Sequence, residues 1–111
     1  MPNSSDPTVD QIIHAMPSRF NPEAAADVDA VIQFHLSGDD GGDYHATLRD
    51  GACAVGTGSH PQPTLTLRMS AQTYVDMVMD RTTGQAAFFA RKLRFDGPIS
   101  LVIRLHRFFT L

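Results

Sequence analysis

With 111 residues the chain has room for a single core, and its 42% apolar and 19% charged residues are ordinary for a soluble globular protein. A net charge of -3 and a pI near 5.9 exclude a nucleic-acid binder that relies on a broad basic footprint. Its one cysteine, Cys53, cannot close an internal disulfide, which fits a reducing cytoplasm. No run of about 18 apolar residues is present to span a bilayer, and the opening residues, without a basic start and apolar stretch, give no expectation of a secretory signal.

Residues 1–7 are polar and proline-bearing and are expected to form a flexible tail, followed by one domain over 8–111. Thr8 and Gln11 have capping-box spacing ahead of the one-faced apolar series Val9, Ile12, Ile13, Met16. Pro17 should stop that helix at or before its position, and Ala24–Ala26 reads as a second helical turn. From Val28 the period changes to two: Ala30, Ile32, Phe34 and Leu36 alternate with Val31, Gln33 and His35, the pattern of a half-buried strand. A turn over 38–43 leads to a second alternation at Tyr44, Ala46 and Leu48.

Asp50-Gly51 is the strongest hairpin signal and calls for a two-residue type I′ turn. If Arg49 pairs with Ala52, Leu48 faces Cys53 and Ala46 faces Val55, so the turn alone sets the register. After a crossing loop through His60-Pro61-Gln62-Pro63, Thr64–Met69 forms a fourth strand with Leu65, Leu67 and Met69 inward. Ser70 caps a helix whose inner face carries Tyr74, Met77, Val78 and Arg81. A short helix at Gln85–Ala90, a fifth strand at Lys92–Asp96 and a last helix after Gly97-Pro98 complete an α+β chain on a mostly antiparallel sheet.

Phe34-His35-Leu36-Ser37-Gly38, the run Thr64–Ser70, and Gln85-Ala86-Ala87-Phe88-Phe89-Ala90-Arg91-Lys92-Leu93-Arg94-Phe95-Asp96-Gly97 together resemble the sterol carrier protein 2 family in order and spacing. The likeness, to a single-domain member of bacterial type, covers roughly residues 8 to 109. One departure is Arg91, where the family usually has glycine, so the approach to strand five is expected to be shaped differently. The resemblance implies a five-stranded sheet covered on one face by helices, with an apolar tunnel between them that binds fatty acids, acyl-CoA esters or sterol-like molecules without catalysis.

The last helix agrees with such a space. At about 100° per residue, Ile99, Leu101, Val102, Ile103, Leu105, Phe108 and Phe109 cover an arc of roughly 220°, wider than the stripe a sheet-packed helix needs. The surplus requires a further helix, a partner subunit or a ligand, and an apolar stripe at this spacing also reads as ordinary core. Under the resemblance, the ligand-lining residues are expected to be Phe34, Met77, Phe88, Phe89, Phe95, Leu101, Leu105 and Phe108. Arg19 and Gln85 are the candidates for an anionic headgroup.

Catalysis finds little support. With the first hairpin taken as symmetric about Asp40, His35 and His45 stand opposite each other about 5 Å apart, but no third metal ligand accompanies them. Asp39, Asp40 and Asp43 lack the closing glutamate of a calcium loop, and no nucleophile or phosphate-loop motif occurs. The expectation is therefore a cytoplasmic, non-enzymatic lipid carrier with no cofactor, no metal and no nucleic-acid partner. The alternative is an accessory or dimerisation module that presents a lipophilic substrate to a partner enzyme.

Overall fold

The computed structural model describes residues 7–108, without the side chains of His106 and Phe108. The expected tail, except for Pro7, the side chain of the expected lining residue Phe108, and Phe109 of the expected apolar arc therefore lie outside the described residues. The elements run α1 (Val9–Arg19), β1 (Ala30–Ser37), β2 (Gly42–Arg49), β3 (Ala52–Thr57), β4 (Leu65–Ser70), α2 (Ala71–Val78), α3 (Gly84–Phe89), β5 (Leu93–Asp96) and α4 (Ile99–Phe108). The strands form one sheet in the order β3-β2-β1-β4-β5, antiparallel throughout except for the central β1–β4 pair.

Period-two patterning puts Ile32, Phe34 and Leu36 of β1, Ala46 and Leu48 of β2, and Leu65, Leu67 and Met69 of β4 on one buried face. The same core takes Val9, Ile13 and Met16 from α1, Tyr74 and Val75 from α2, Ala87 from α3 and Leu101 from α4. Thr8 caps α1 as its spacing requires: its hydroxyl accepts from the Gln11 amide at 3.1 Å, and the Gln11 side chain accepts from the Thr8 amide at 2.9 Å. Asp40 adds a further cap, accepting from the Val9 amide at 3.1 Å. The Asp50–Gly51 hairpin has the register fixed by its turn, with Arg49 opposite Ala52, Leu48 opposite Cys53 and Ala46 opposite Val55.

Several expectations are corrected. Helix α1 continues through Pro17 to Arg19, because a proline in the last turn removes a single donor and leaves the earlier ladder intact. Ala24–Ala26 is a turn rather than a helix, held where the Asn21 side chain accepts from the Glu23 amide at 3.2 Å. The first hairpin is centred on Asp39, so His35 faces Asp43 and His45 faces Gln33. The His35–His45 pair is thereby dissolved. Gln33 is only 1% exposed. The residues after β3 fold back over it, making β1 buried on both faces.

Arg81 lies beyond α2, not on its inner face. Asp80 takes a left-handed conformation (φ 62°) that ends the helix, and Arg81 pairs with Asp76 at 3.3 Å. Arg91 shows the same device after α3. Its φ is 62°, its amide donates to the Phe88 carbonyl at 3.0 Å, and the Lys92 amide donates to that of Ala87 at 2.8 Å. That bonding is a Schellman stop, which glycine adopts without steric cost. Arginine thus makes the turn that glycine would make, under strain. Arg91→Gly is expected to raise stability by about 0.5–1 kcal/mol, read as a higher urea midpoint; a lower midpoint would contradict the strain.

Candidate functional site

The candidate lining residues fall into three shells. Phe34 of β1 and Leu101 of α4 are buried between sheet and helices, the Phe34 ring centroid 5.6 Å from that of Tyr74. Met77, Phe95 and Leu105 are half-buried against this core. Phe88 and Phe89 form an exposed rim, with Phe89 73% exposed and the Phe88 ring 5.6 Å from Phe95. The rim projects because α3 has six residues and rests on the sheet through buried Ala87. Of the headgroup candidates, Arg19 ends α1 and Gln85 lies in the first turn of α3, both at the exposed surface. These two belong to different helices and are not drawn together by any hydrogen bond between them among the described residues.

The surplus apolar surface of α4 is present. Leu101 is buried and Val102 and Leu105 pack against the core, while Ile99 and Ile103 are 62% and 59% exposed. Arg104 anchors the helix by donating to Asp27 at 2.8 Å and to the Ala24 carbonyl at 3.3 Å. That bonding, with the adjacent positive charge, holds the Asp27 carboxyl below its ordinary range. Exposed Met79, Phe88 and Phe89 lie on the same helical layer, at the ends of α2 and α3.

Under this layer the core holds two neutral acids. Burial pushes the Cys53 thiol up to about 11, so it is protonated at neutral pH and is a poor nucleophile. Burial, and then the neighbouring Cys53, also raise the Tyr74 phenol, whose hydroxyl faces the Met16 sulfur at 3.8 Å. Both groups bind their protons more tightly folded than unfolded. Their stabilisation is complete below the unfolded values near 9 and 10 and is lost as pH rises through the higher folded values. Melting temperature is therefore expected to fall as pH passes 9, and Tyr74→Phe should flatten the decline above 10; parallel slopes in the two proteins would exclude Tyr74 as a cause.

Two features escaped the sequence reading. Gln33 ties the crossing loop to the sheet: its amide nitrogen donates to the carbonyls of Tyr44 at 3.0 Å and Gly58 at 3.2 Å, and its oxygen accepts from the His60 amide at 2.8 Å. On the sheet face away from the helices, an open cleft of about 460 Å³ is lined by His35, Asp43, Arg68, Arg91, Lys92 and Arg94, among others. A second groove of about 460 Å³, along Phe88, Phe89 and Leu93, shares Arg91 and Arg94 with it. Among the described residues no three His, Cys, Asp or Glu side chains converge as a metal site. Nor, among those residues, is any helix long and apolar enough to cross a membrane.

Comparison with known proteins matches residues 9–110 to the SCP-2 sterol transfer family. The chain is 28% identical over 103 residues to hydroxysteroid dehydrogenase-like protein 2 of Rattus norvegicus, covering 92% of this chain and 20% of that protein. It thus spans about a fifth of the length of this relative. Among solved structures, sterol carrier protein 2 like 2 from Aedes aegypti superposes with a TM-score of 0.74 at 18% identity, over 90% of this chain and 94% of that one. The sec-alkylsulfatase Pisa1 from Pseudomonas sp. superposes with a TM-score of 0.80 at 19% identity, over 95% of this chain and 17% of that one. The palmitated form of the Aedes aegypti protein gives a TM-score of 0.75 at 19% identity, over 91% of this chain and 93% of that one. At these identities the superpositions establish the fold.

Proposed function

Because the chain belongs to the SCP-2 sterol transfer family, we propose that its domain, residues 8–111, binds a fatty or sterol-like ligand without catalysis in an apolar tunnel between the helices and the sheet. The observation that carries this reading is the poorly covered helical layer: Met79, Phe88, Phe89, Ile99 and Ile103 remain exposed around half-buried Met77, Phe95 and Leu105. Apolar surface left in water is an unspent source of binding free energy, about 25 cal/mol per Å² once covered. Methionine and phenylalanine shape such a space to ligands of varied outline. The palmitated Aedes aegypti neighbour supports a fatty chain as the first ligand to test.

In this reading Phe34 of the sheet forms the floor, Met77, Phe95, Leu101 and Leu105 line the walls, and Phe88 and Phe89 frame the mouth. Arg19 or Gln85 meets the headgroup. A fluorescent fatty acid should bind and be displaced by palmitate, and Phe95→Ala should weaken it roughly tenfold or more, the scale of one lost aromatic contact. Unchanged affinity in a folded Phe95→Ala protein would remove this residue from the wall.

The exposed Ile99 and Ile103 also favour a second reading, in which α4 docks on a second copy or on an enzyme to which the domain presents its lipophilic substrate. The relatives named as enzymes are about five to six times longer than the segment they share with this chain, which accords with a domain working beside a catalytic one. Light scattering on Ile103→Asp separates the readings. A dimer that becomes monomeric while fatty-acid affinity is kept supports docking; a monomer in both proteins removes the homodimer.

A further inference from the structure

From the outer sheet face we infer that the cleft bounded by Arg68, Arg91, Lys92 and Arg94 binds the phosphate group of a phosphorylated amphiphile, whose apolar part lies along the Phe88–Leu93 groove. Four of the chain's nine Lys and Arg residues meet there although its net charge is -3. Elsewhere, Arg49, Arg81 and Arg104 have carboxylates at 3.1, 3.3 and 2.8 Å. None of the four cleft cations has an ion pair among the described residues. Asp43, an acid on the cleft wall, is already engaged by His35 at 2.7 Å.

The strand register makes the arrangement costly without an anion. Arg68 of β4 is directly opposite Arg94 of β5, and like charges in that relation destabilise a sheet. In β1, His35 continues the row beside Arg68. Arg91 completes the group from a left-handed position (φ 62°) where a side chain is itself strained. A single carboxylate would neutralise one of four charges. A phosphate dianion accepts forked hydrogen bonds from several guanidinium groups at once. Because Arg91 and Arg94 belong to both clefts, the phosphate site opens directly onto exposed Phe88 and Phe89, with buried Leu93 at the base of the groove, which suits a ligand charged at one end and apolar at the other.

The paired Arg68 and Arg94 face away from the proposed tunnel, and the phosphate site stands whether or not the tunnel holds a lipid, although its apolar groove shares Phe88 and Phe89 with the tunnel mouth. Inorganic pyrophosphate is the soluble probe, titrated calorimetrically at low and high salt, with the double variant Arg68→Gln/Arg94→Gln as the test. Pyrophosphate should bind the parent protein, more weakly at high salt, and raise its melting temperature. The double variant should lose affinity by about tenfold or more, melt no lower than the parent, and keep its fatty-acid affinity. Lys92→Gln, at an exposed position, should weaken pyrophosphate in the same direction. Co-sedimentation with phosphatidylcholine vesicles, with and without phosphatidic acid, identifies the source. Retention that needs phosphatidic acid and the two arginines assigns the site to a bilayer headgroup, whereas pyrophosphate binding without vesicle retention assigns it to a free phosphorylated molecule. No pyrophosphate binding, or equal binding by the double variant, overturns the inference.

Discussion

Gln33→Leu is expected to destabilise the protein by about 3 kcal/mol, the scale of leaving several buried backbone groups unpaired. Leucine is of similar size and more apolar, so an account based on burial alone predicts little change. Gln33 instead closes a three-way connection: its side chain holds the carbonyls of Tyr44 and Gly58 and the amide of His60. Without it these groups have to find water beneath the crossing loop or move apart. A melting temperature lower by roughly 12 °C is the expected reading for a domain of this size. A shift within about 2 °C would show that the loop, rather than the glutamine, satisfies its own backbone.

The second large effect is at Gly97, between β5 and α4. Its φ is +140°, and a methyl group added there would stand 2.7 Å from the Thr64 carbonyl oxygen and 3.0 Å from the Leu65 Cα. Both obstacles are backbone of the neighbouring β4 segment and cannot swing aside as a side-chain tip can. Gly97→Ala is expected to cost about 3 kcal/mol or more, combining backbone strain with displacement of the β4–β5 pair. Gly58 supplies the control: its φ is +92°, but an added methyl meets nothing within 4 Å. Gly58→Ala should therefore cost only about 1 kcal/mol, the conformational part alone. Equal losses at the two positions in urea titrations would show that contact with β4 adds nothing.

The legible parts of this fold are those decided within a few residues. Thr8 and Gln11 reveal their capping box by spacing, and Asp50–Gly51 fixes the pairing of β2 with β3 because a two-residue turn leaves one register open. The turn before β2 is longer and rich in residues that favour turns. Its symmetry could be placed on Asp39 or Asp40 with equal local sense, and the choice moved His45 from His35 to Gln33. Gln33 looked solvent-facing by period two; it is buried by a loop that returns from some 25 residues downstream, a contact no local pattern encodes.

The candidate site divides in the same way. The excess apolar arc of α4 is readable from helical geometry and reappears as exposed Ile99 and Ile103. The outward position of Phe88 and Phe89 is not, because it depends on a six-residue helix seated on Ala87. The opposed pair Arg68 and Arg94 was equally hidden, since two strands joined through α2 and α3 have no turn to set their register. Each residue was visible alone as a polar position in a strand.

Whether this domain holds a lipid within its helical layer is decided by native mass spectrometry of protein purified from cells, followed by organic extraction. A lipid carrier should show a bound mass that is released as a fatty or sterol-like molecule, restored by adding it back, and displaced by a fluorescent fatty acid. A bare protein mass that stays bare after addition of fatty acids, acyl-CoA and sterols would contradict it, and would leave the exposed face of α4 to a protein partner.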